Sequence, residues 1–283
     1  MAADTRPLAA AARPRVSRHL PVNLAGRAWS AAWPPIAAAT LLIGAWQVVV
    51  WLGLKPDYIL PGPMPVFGTL GQALREPAFW TALATTGVRA VFGFSIALVI
   101  GLLLGLAVSR SARLRTAVGS LISGLQSMPS IAWFPLAILL FGLTETAIAF
   151  VVILGAAPAI ANGLISGIDG IPPVLLRYGR VAGARDWTLY RRIVLPAALP
   201  SFVGGLKQGW AFAWRSLMAG ELLVIIAQRP SLGARLQFAR EFADAQGLLA
   251  MMIVILVIGI VVDQLYGLAD RWIRRRWGLV EQR

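Results

Sequence analysis

Long apolar runs separated by short, arginine-bearing gaps organise this chain from residue 33 to residue 268. Six of the runs reach or approach the roughly 20 residues that carry a helix across a bilayer core of about 30 Å. They fall at 33–54, 88–108, 117–141, 146–168, 196–226 and 248–268. None alternates apolar and polar positions as barrel strands do, so the pattern predicts an all-α integral membrane protein with six spans. Tryptophans at or near both ends of the first run suit the two membrane interfaces.

The runs differ in how they depart from plain hydrophobicity. Residues 55–80, rich in Pro and Gly, read as an external connector with one short helix. In the second run Gly101 and Gly105 make a small-xxx-small pair that lets another helix come close, and Arg89 is expected at its outer edge. The third run contains Pro129 and Pro135, each of which removes a backbone donor. A break of that kind survives in a membrane only against protein or a cavity. The fourth carries Pro158 with Asn162 beside it, able to bond freed carbonyls. The fifth opens at Pro196, a residue suited to the first helical turn.

Charge then orients the spans. Of 283 residues, 58% are hydrophobic and 13% charged, with a mean hydropathy of +0.73; soluble domains average about 25% charged. The net charge of +14 is nearly all arginine in the gaps, which argues for membrane orientation and not for nucleic acid as a partner. The stretch before residue 33, the 109–116 loop, the 169–195 loop and the tail hold eighteen Lys and Arg (five, three, five and five); the gaps on the other side hold five. Positive residues collect in cytoplasmic loops, so both termini are expected there. The expected organisation is a basic arm over 1–32, a membrane domain over 33–268 with its core at about 78–268 and a large cytoplasmic loop at 169–195, and a basic tail over 269–283.

Candidate chemistry is sparse. There is no cysteine, and the single histidine, His19, lies in the basic arm, so neither thiolate nor metal chemistry is expected. Pro14 and Pro21 interrupt that arm and leave no apolar core for a cleavable signal. No G-x-x-x-x-G-K-[ST] stretch is present, so a nucleotide would have to be bound by another subunit.

The 169–195 gap is the largest internal hydrophilic insertion. It leads into Gly183-Ala-Arg-Asp-Trp-Thr-Leu-Tyr-Arg-Arg-Ile-Val-Leu-Pro196. Trp187, Leu189, Tyr190 and Ile193 are spaced for a short amphipathic helix. A tether, a lipid-binding strip and a docking surface would all suit those residues. The stretch resembles the Gly-x9-Ile-x-Leu-Pro half of the signature E-A-A-x3-G-x9-I-x-L-P of permease subunits of bacterial ABC importers. The first half departs, with Arg177, Tyr178 and Gly179 in the Glu-Ala-Ala positions. Two more stretches, "LQSMPSIAWFPLAILLFG" at 125–142 and "YILPGPMPV" at 58–66, are similar to the nitrate, sulfonate and taurine type of these permeases.

That resemblance, covering about 56–278, implies a six-helix type I importer fold of the MetI-like kind in the bacterial inner membrane. It also implies a homodimer of permeases, two cytoplasmic ATPase subunits that hold ATP and Mg, and an extracytoplasmic binding protein that delivers substrate. This chain would carry no cofactor and would be no enzyme by itself. Gly183, Ala184, Arg185, Asp186, Trp187, Ile193, Leu195 and Pro196 would form the coupling helix seated on the ATPase.

For a translocation path, polar groups inside spans are the candidates, because they are costly in lipid. Lys207, Trp210, Trp214, Met218 and Glu221 are spaced 3-4-4-3 and form one helical stripe, with Arg215 about a quarter turn away. Cations beside tryptophans suit a small anion with an organic tail. Gln126 and Trp133 flank the Pro129 break and are expected to line the same path. The competing expectation is that Glu221 and Arg215 pair with other spans and that Lys207 extends to the cytoplasmic face. Sulfonate, taurine or nitrate is the expected cargo, and a thiamine or pyrimidine precursor or a flavin the alternative. A secondary transporter or channel would need inverted repeats and midplane acids; only Glu221 and Asp263 lie well inside spans, and the halves do not repeat.

Overall fold

The computed structural model describes residues 24–276, with side chains from Trp33 onward except those of Ala112 and Asp186. Arg6, Arg13, Arg15, Arg18 and His19 of the expected arm and Arg283 of the tail lie outside the described residues, as does the side chain of Arg27.

The chain divides into two units at Leu54. The described residues of the first contain one helix, α1 (Leu24–Trp51), which begins nine residues before the expected span and carries Pro34 and Pro35 near the start of its apolar part, Trp33–Trp51.

The second unit is helical throughout its regular structure, with no strand among the described residues. The 55–80 connector holds the expected short helix, α2 (Pro63–Ala73), followed by α3 (Pro77–Arg110). The third run breaks as its prolines predict. Helix α4 (Ala112–Ser127) stops before Met128, whose extended backbone (ψ 129°) is what a residue preceding proline adopts. One 3₁₀ turn, Ser130–Trp133, leads into α5 (Phe134–Phe141), where Pro135 sits harmlessly in the first turn. The two halves meet at 100°. Helix α6 (Glu145–Asp169) runs through Pro158.

On the next gap stand α7 (Pro173–Val181) and the short α8 (Asp186–Leu189). A π-turn, Tyr190–Val194, joins α8 to α9 (Leu195–Leu223). The expected external loop at 228–246 contains α10 (Leu232–Glu241), and α11 (Ala245–Arg276) ends the described chain.

Among the described residues four helices are long and apolar enough to cross a membrane, or five if the bent α4–α5 pair is one span. Helix α9 has the length, 29 residues, but Lys207, Gln208, Arg215 and Glu221 lower its hydropathy. One side of it is covered by α6, which packs extensively on both α3 and α9, and of those four residues only Glu221 is buried. Side chains of Ile148, Val152, Ile160, Phe134 and Leu217 fill the core between them.

Small residues permit that closeness. A Cβ at Gly101 would lie 2.8 Å from the Ala157 carbonyl oxygen, so the predicted pair does serve packing. The tightest crossing was not anticipated: Gly163 of α6 faces Gly205 of α9, and a Cβ on either would overlap the other's Cα.

Helix α3 starts at Pro77, eleven residues before the expected span, so Arg89 lies buried three turns inside the helix, beside Glu145 at the start of α6 and next to the 142–145 gap.

Candidate translocation and coupling site

Helix α9 carries the candidate path residues, and its two ends meet different surroundings. Toward its C-terminal end, Glu221 is fully buried. Its carboxylate accepts hydrogen bonds from Arg89 Nη1 at 2.9 Å, from the Thr86 hydroxyl at 2.9 Å and from the Gly233 amide at 3.0 Å. The Leu232 amide donates to the Thr86 oxygen at 3.0 Å, which leaves the threonine proton for the carboxylate. Glu221 therefore sits at the first turn of α10, where amides and helix dipole favour an anion. Arg89 also grips Glu145 through Nη2 at 2.7 Å and Nε at 2.8 Å. This knot ties α3, α6, α9 and α10 together, so the expectation that Glu221 pairs with other spans describes it.

Mid-helix, Lys207 Nζ lies 3.1 Å from Asp263 Oδ1 of α11, and these side chains are 43% and 51% exposed. Trp210 stacks on Trp214 with ring centres 6.2 Å apart and an interplanar angle of 16°. Trp210 and Phe94 both approach Tyr266 at 6.4 Å. Two clefts adjoin here and share Trp214 and Met218. One, of about 560 Å³, holds Asp263 and Gln264; the other, of about 620 Å³, holds Arg215, Ile131 and Arg240.

Of the expected path residues, Trp214 and Met218 line both clefts and Arg215 the larger; Lys207 and Trp210 line neither, and Lys207 touches the smaller only through Asp263. Arg215 donates from Nε to the Ala211 carbonyl of its own helix and lies over the Phe212 ring. Glu221, Gln126 and Trp133 line neither cleft. Trp133 packs against the core, and the Gln126 amide nitrogen is buried without a partner among the described residues. Asp263, which the sequence marked only as an acid inside a span, is the partner that spacing along α9 alone does not reveal.

The N-terminal end of α9 continues from the 183–196 signature. Gly183 has φ +84°, a region L side chains avoid, and a Cβ there would meet open space. Glycine is needed here for the backbone, not for room. It caps α7: the Gly183 amide donates to Arg180 O at 3.1 Å and the Ala184 amide to Gly179 O at 2.9 Å, the paired bonds of a Schellman motif. Gly179 supplies the room instead. A Cβ there would overlap Ile193 Cδ1 and lie 2.8 Å from Leu189 Cδ1, so the small-residue position of the signature is where the π-turn packs on α7.

With that face inward, α7 turns Val174, Tyr178 and Val181 outward, at i, i+4 and i+7. Each is at least 70% exposed. Trp187 of α8 is 64% exposed, and Arg185 is exposed beside it. Leu195 and Pro196 begin α9, and the Leu195 amide bonds Tyr190 O across the π-turn. The side chain of Asp186 lies outside the described residues. The outward stripe on α7 went unread in the sequence because Arg177 and Arg180 are interleaved with it.

The model of the binding-protein-dependent transport system inner membrane component family matches residues 97–275. The chain belongs to that family. It is a permease subunit of an ABC importer, and such permeases are not themselves enzymes, ATP hydrolysis being the work of a separate subunit. The permease is 32% identical to the riboflavin transport system permease of Chloroflexus aurantiacus over 87% of this chain and 91% of that one. It is 28% identical to the taurine transport system permease of Escherichia coli K12, over 82% and 87%. The bicarbonate transport system permease of Synechococcus elongatus is 26% identical over 85% and 89%. In fold it matches the crystal structure of a bacterial ABC transporter involved in alginate import, with a TM-score of 0.57 at 17% identity, over 88% of this permease and 98% of that chain.

Proposed function

We propose that this permease pairs with a second copy to import a small anionic organic nutrient of the sulfonate and taurine class, handed over by an external binding protein and driven by two cytoplasmic ATPase subunits. On this reading it sits in a bacterial inner membrane with both ends in the cytoplasm, residues 33–268 being the membrane domain between a basic arm and a basic tail. The observation that carries the coupling role is the exposed apolar stripe of Val174, Tyr178, Val181 and Trp187 beside the Gly183 cap. Contiguous exposed apolar surface marks a protein interaction site, and the stripe is joined through the π-turn to α9. ATP closing the partner subunits can then bias the permease, since a ligand drives a change by favouring one state.

Replacing Gly183 by Pro removes both the αL conformation and the amide bond to Arg180. Uptake by the complete importer in vesicles is expected to fall to background while the protein still inserts; normal uptake would refute the coupling role. For the anion, Lys207→Ala and Arg215→Ala are each expected to lower taurine uptake about tenfold or more, and wild-type rates in both would remove the cationic path. A second reading, a flavin-like ring as cargo, is favoured by the Trp210–Trp214 stack and by the riboflavin relative. Competition of riboflavin against taurine uptake separates the two.

A further inference from the structure

A lysine and an aspartate paired inside apolar helices face an unusual balance. Asp263 lies 18 residues into α11, about 27 Å from its start and about 20 Å from its end. Lys207 is 12 residues into α9. Both are about half exposed, and an ion pair so open cannot face acyl chains without heavy cost. The face that bears it must meet water or protein. On its Asp263 side it lines the 560 Å³ cleft together with Gln264, Trp214 and Met218, and Lys207 stands at that cleft through its contact with Asp263.

The charge sum of that face limits what binds. A plain anion drawn to Lys207 would sit beside the Asp263 carboxylate and leave it without a partner, and like-charge juxtaposition at a binding surface is costly. A plain cation has the reverse problem with Lys207. A small molecule carrying both an anionic and an ammonium group gives each side chain a new partner as the old pair opens, and its short apolar linker meets the tryptophans.

We infer that Lys207 and Asp263 form a subsite for a zwitterionic substrate, an ω-amino sulfonate or an amino acid, with the acid group on Lys207 and the ammonium on Asp263. This rests on the proposed path along α9. It narrows that reading by disfavouring nitrate, bicarbonate and simple alkanesulfonates, through the unpaired charge each would create.

The test measures binding of radiolabelled taurine to the purified permease–ATPase complex in lipid nanodiscs, without binding protein, with ethanesulfonate, ethylamine and riboflavin as competitors. Taurine should bind, with ethanesulfonate and ethylamine about thirtyfold or more weaker. Lys207→Met and Asp263→Asn should each lose taurine by a similar factor. The exchange variant Lys207→Asp with Asp263→Lys keeps the pair, and should recover taurine because a zwitterion binds either way round; co-purification with the ATPase checks its folding.

Wild-type taurine binding in both single variants, or no recovery in a folded exchange variant, overturns the inference. If ethanesulfonate competes as well as taurine and Asp263→Asn binds both normally, the pair is refuted while the anion reading stands. If riboflavin binds and neither sulfonate does, both fall.

Discussion

Two ion pairs anchor α9, and they are built for opposite ends. Glu221 and Arg89 are withdrawn from solvent, and every carboxylate oxygen of Glu221 has a donor aimed at it. Lys207 and Asp263 share one contact and stay about half exposed, Asp263 in the wall of the cleft. The comparison teaches that an intramembrane charge is read by its number of satisfied partners, since completeness of the shell separates a fastener from a place where something else can bind.

The largest effect should follow from breaking the complete pair. Glu221→Ala strands the Gly233 amide, the Thr86 hydroxyl and one guanidinium nitrogen, and is expected to cost about 3–5 kcal/mol, read as a fall in thermal unfolding midpoint of the purified protein. An unchanged midpoint would erase the distinction between the pairs. At the other end of the α9 assembly, Gly183→Val should cost about 1–2 kcal/mol and Gly183→Asn distinctly less, because asparagine tolerates the left-handed backbone. Equal losses would mean that space, not φ, demands glycine there. The smallest effect belongs to the open pair: Asp263→Asn should change stability by about 1 kcal/mol or less while altering substrate binding, and a loss as large as that of Glu221→Ala would make it a second fastener.

The spans, the break at Pro129 and the 183–196 signature were legible because each is local: hydropathy, a missing donor, a fixed spacing. The start of α3 was misread for an equally local reason. Thr81, Thr85 and Thr86 dilute the hydropathy at the start of α3, yet Thr81 and Thr85 bond carbonyls of their own helix one turn back and Thr86 bonds Glu221. Their polarity is spent on bonds within the protein, and the helix extends past where hydropathy places it. Glu221 and Asp263 stood out as acids, but their partners lie 132 and 56 residues away in sequence, a relation no periodicity encodes. The α7 stripe needed knowledge of which face Ile193 covers.

The double grip of Arg89 also bears on how the protein is made. A ribosome delivers α3 to the membrane well before α9, so Arg89 enters when Glu221 does not yet exist. Glu145, the first residue of α6, is synthesised 56 residues after Arg89 and already holds two of its nitrogens in the finished protein. It is a companion available during insertion, and the arginine is not left waiting 132 residues in the bilayer for its final counter-charge.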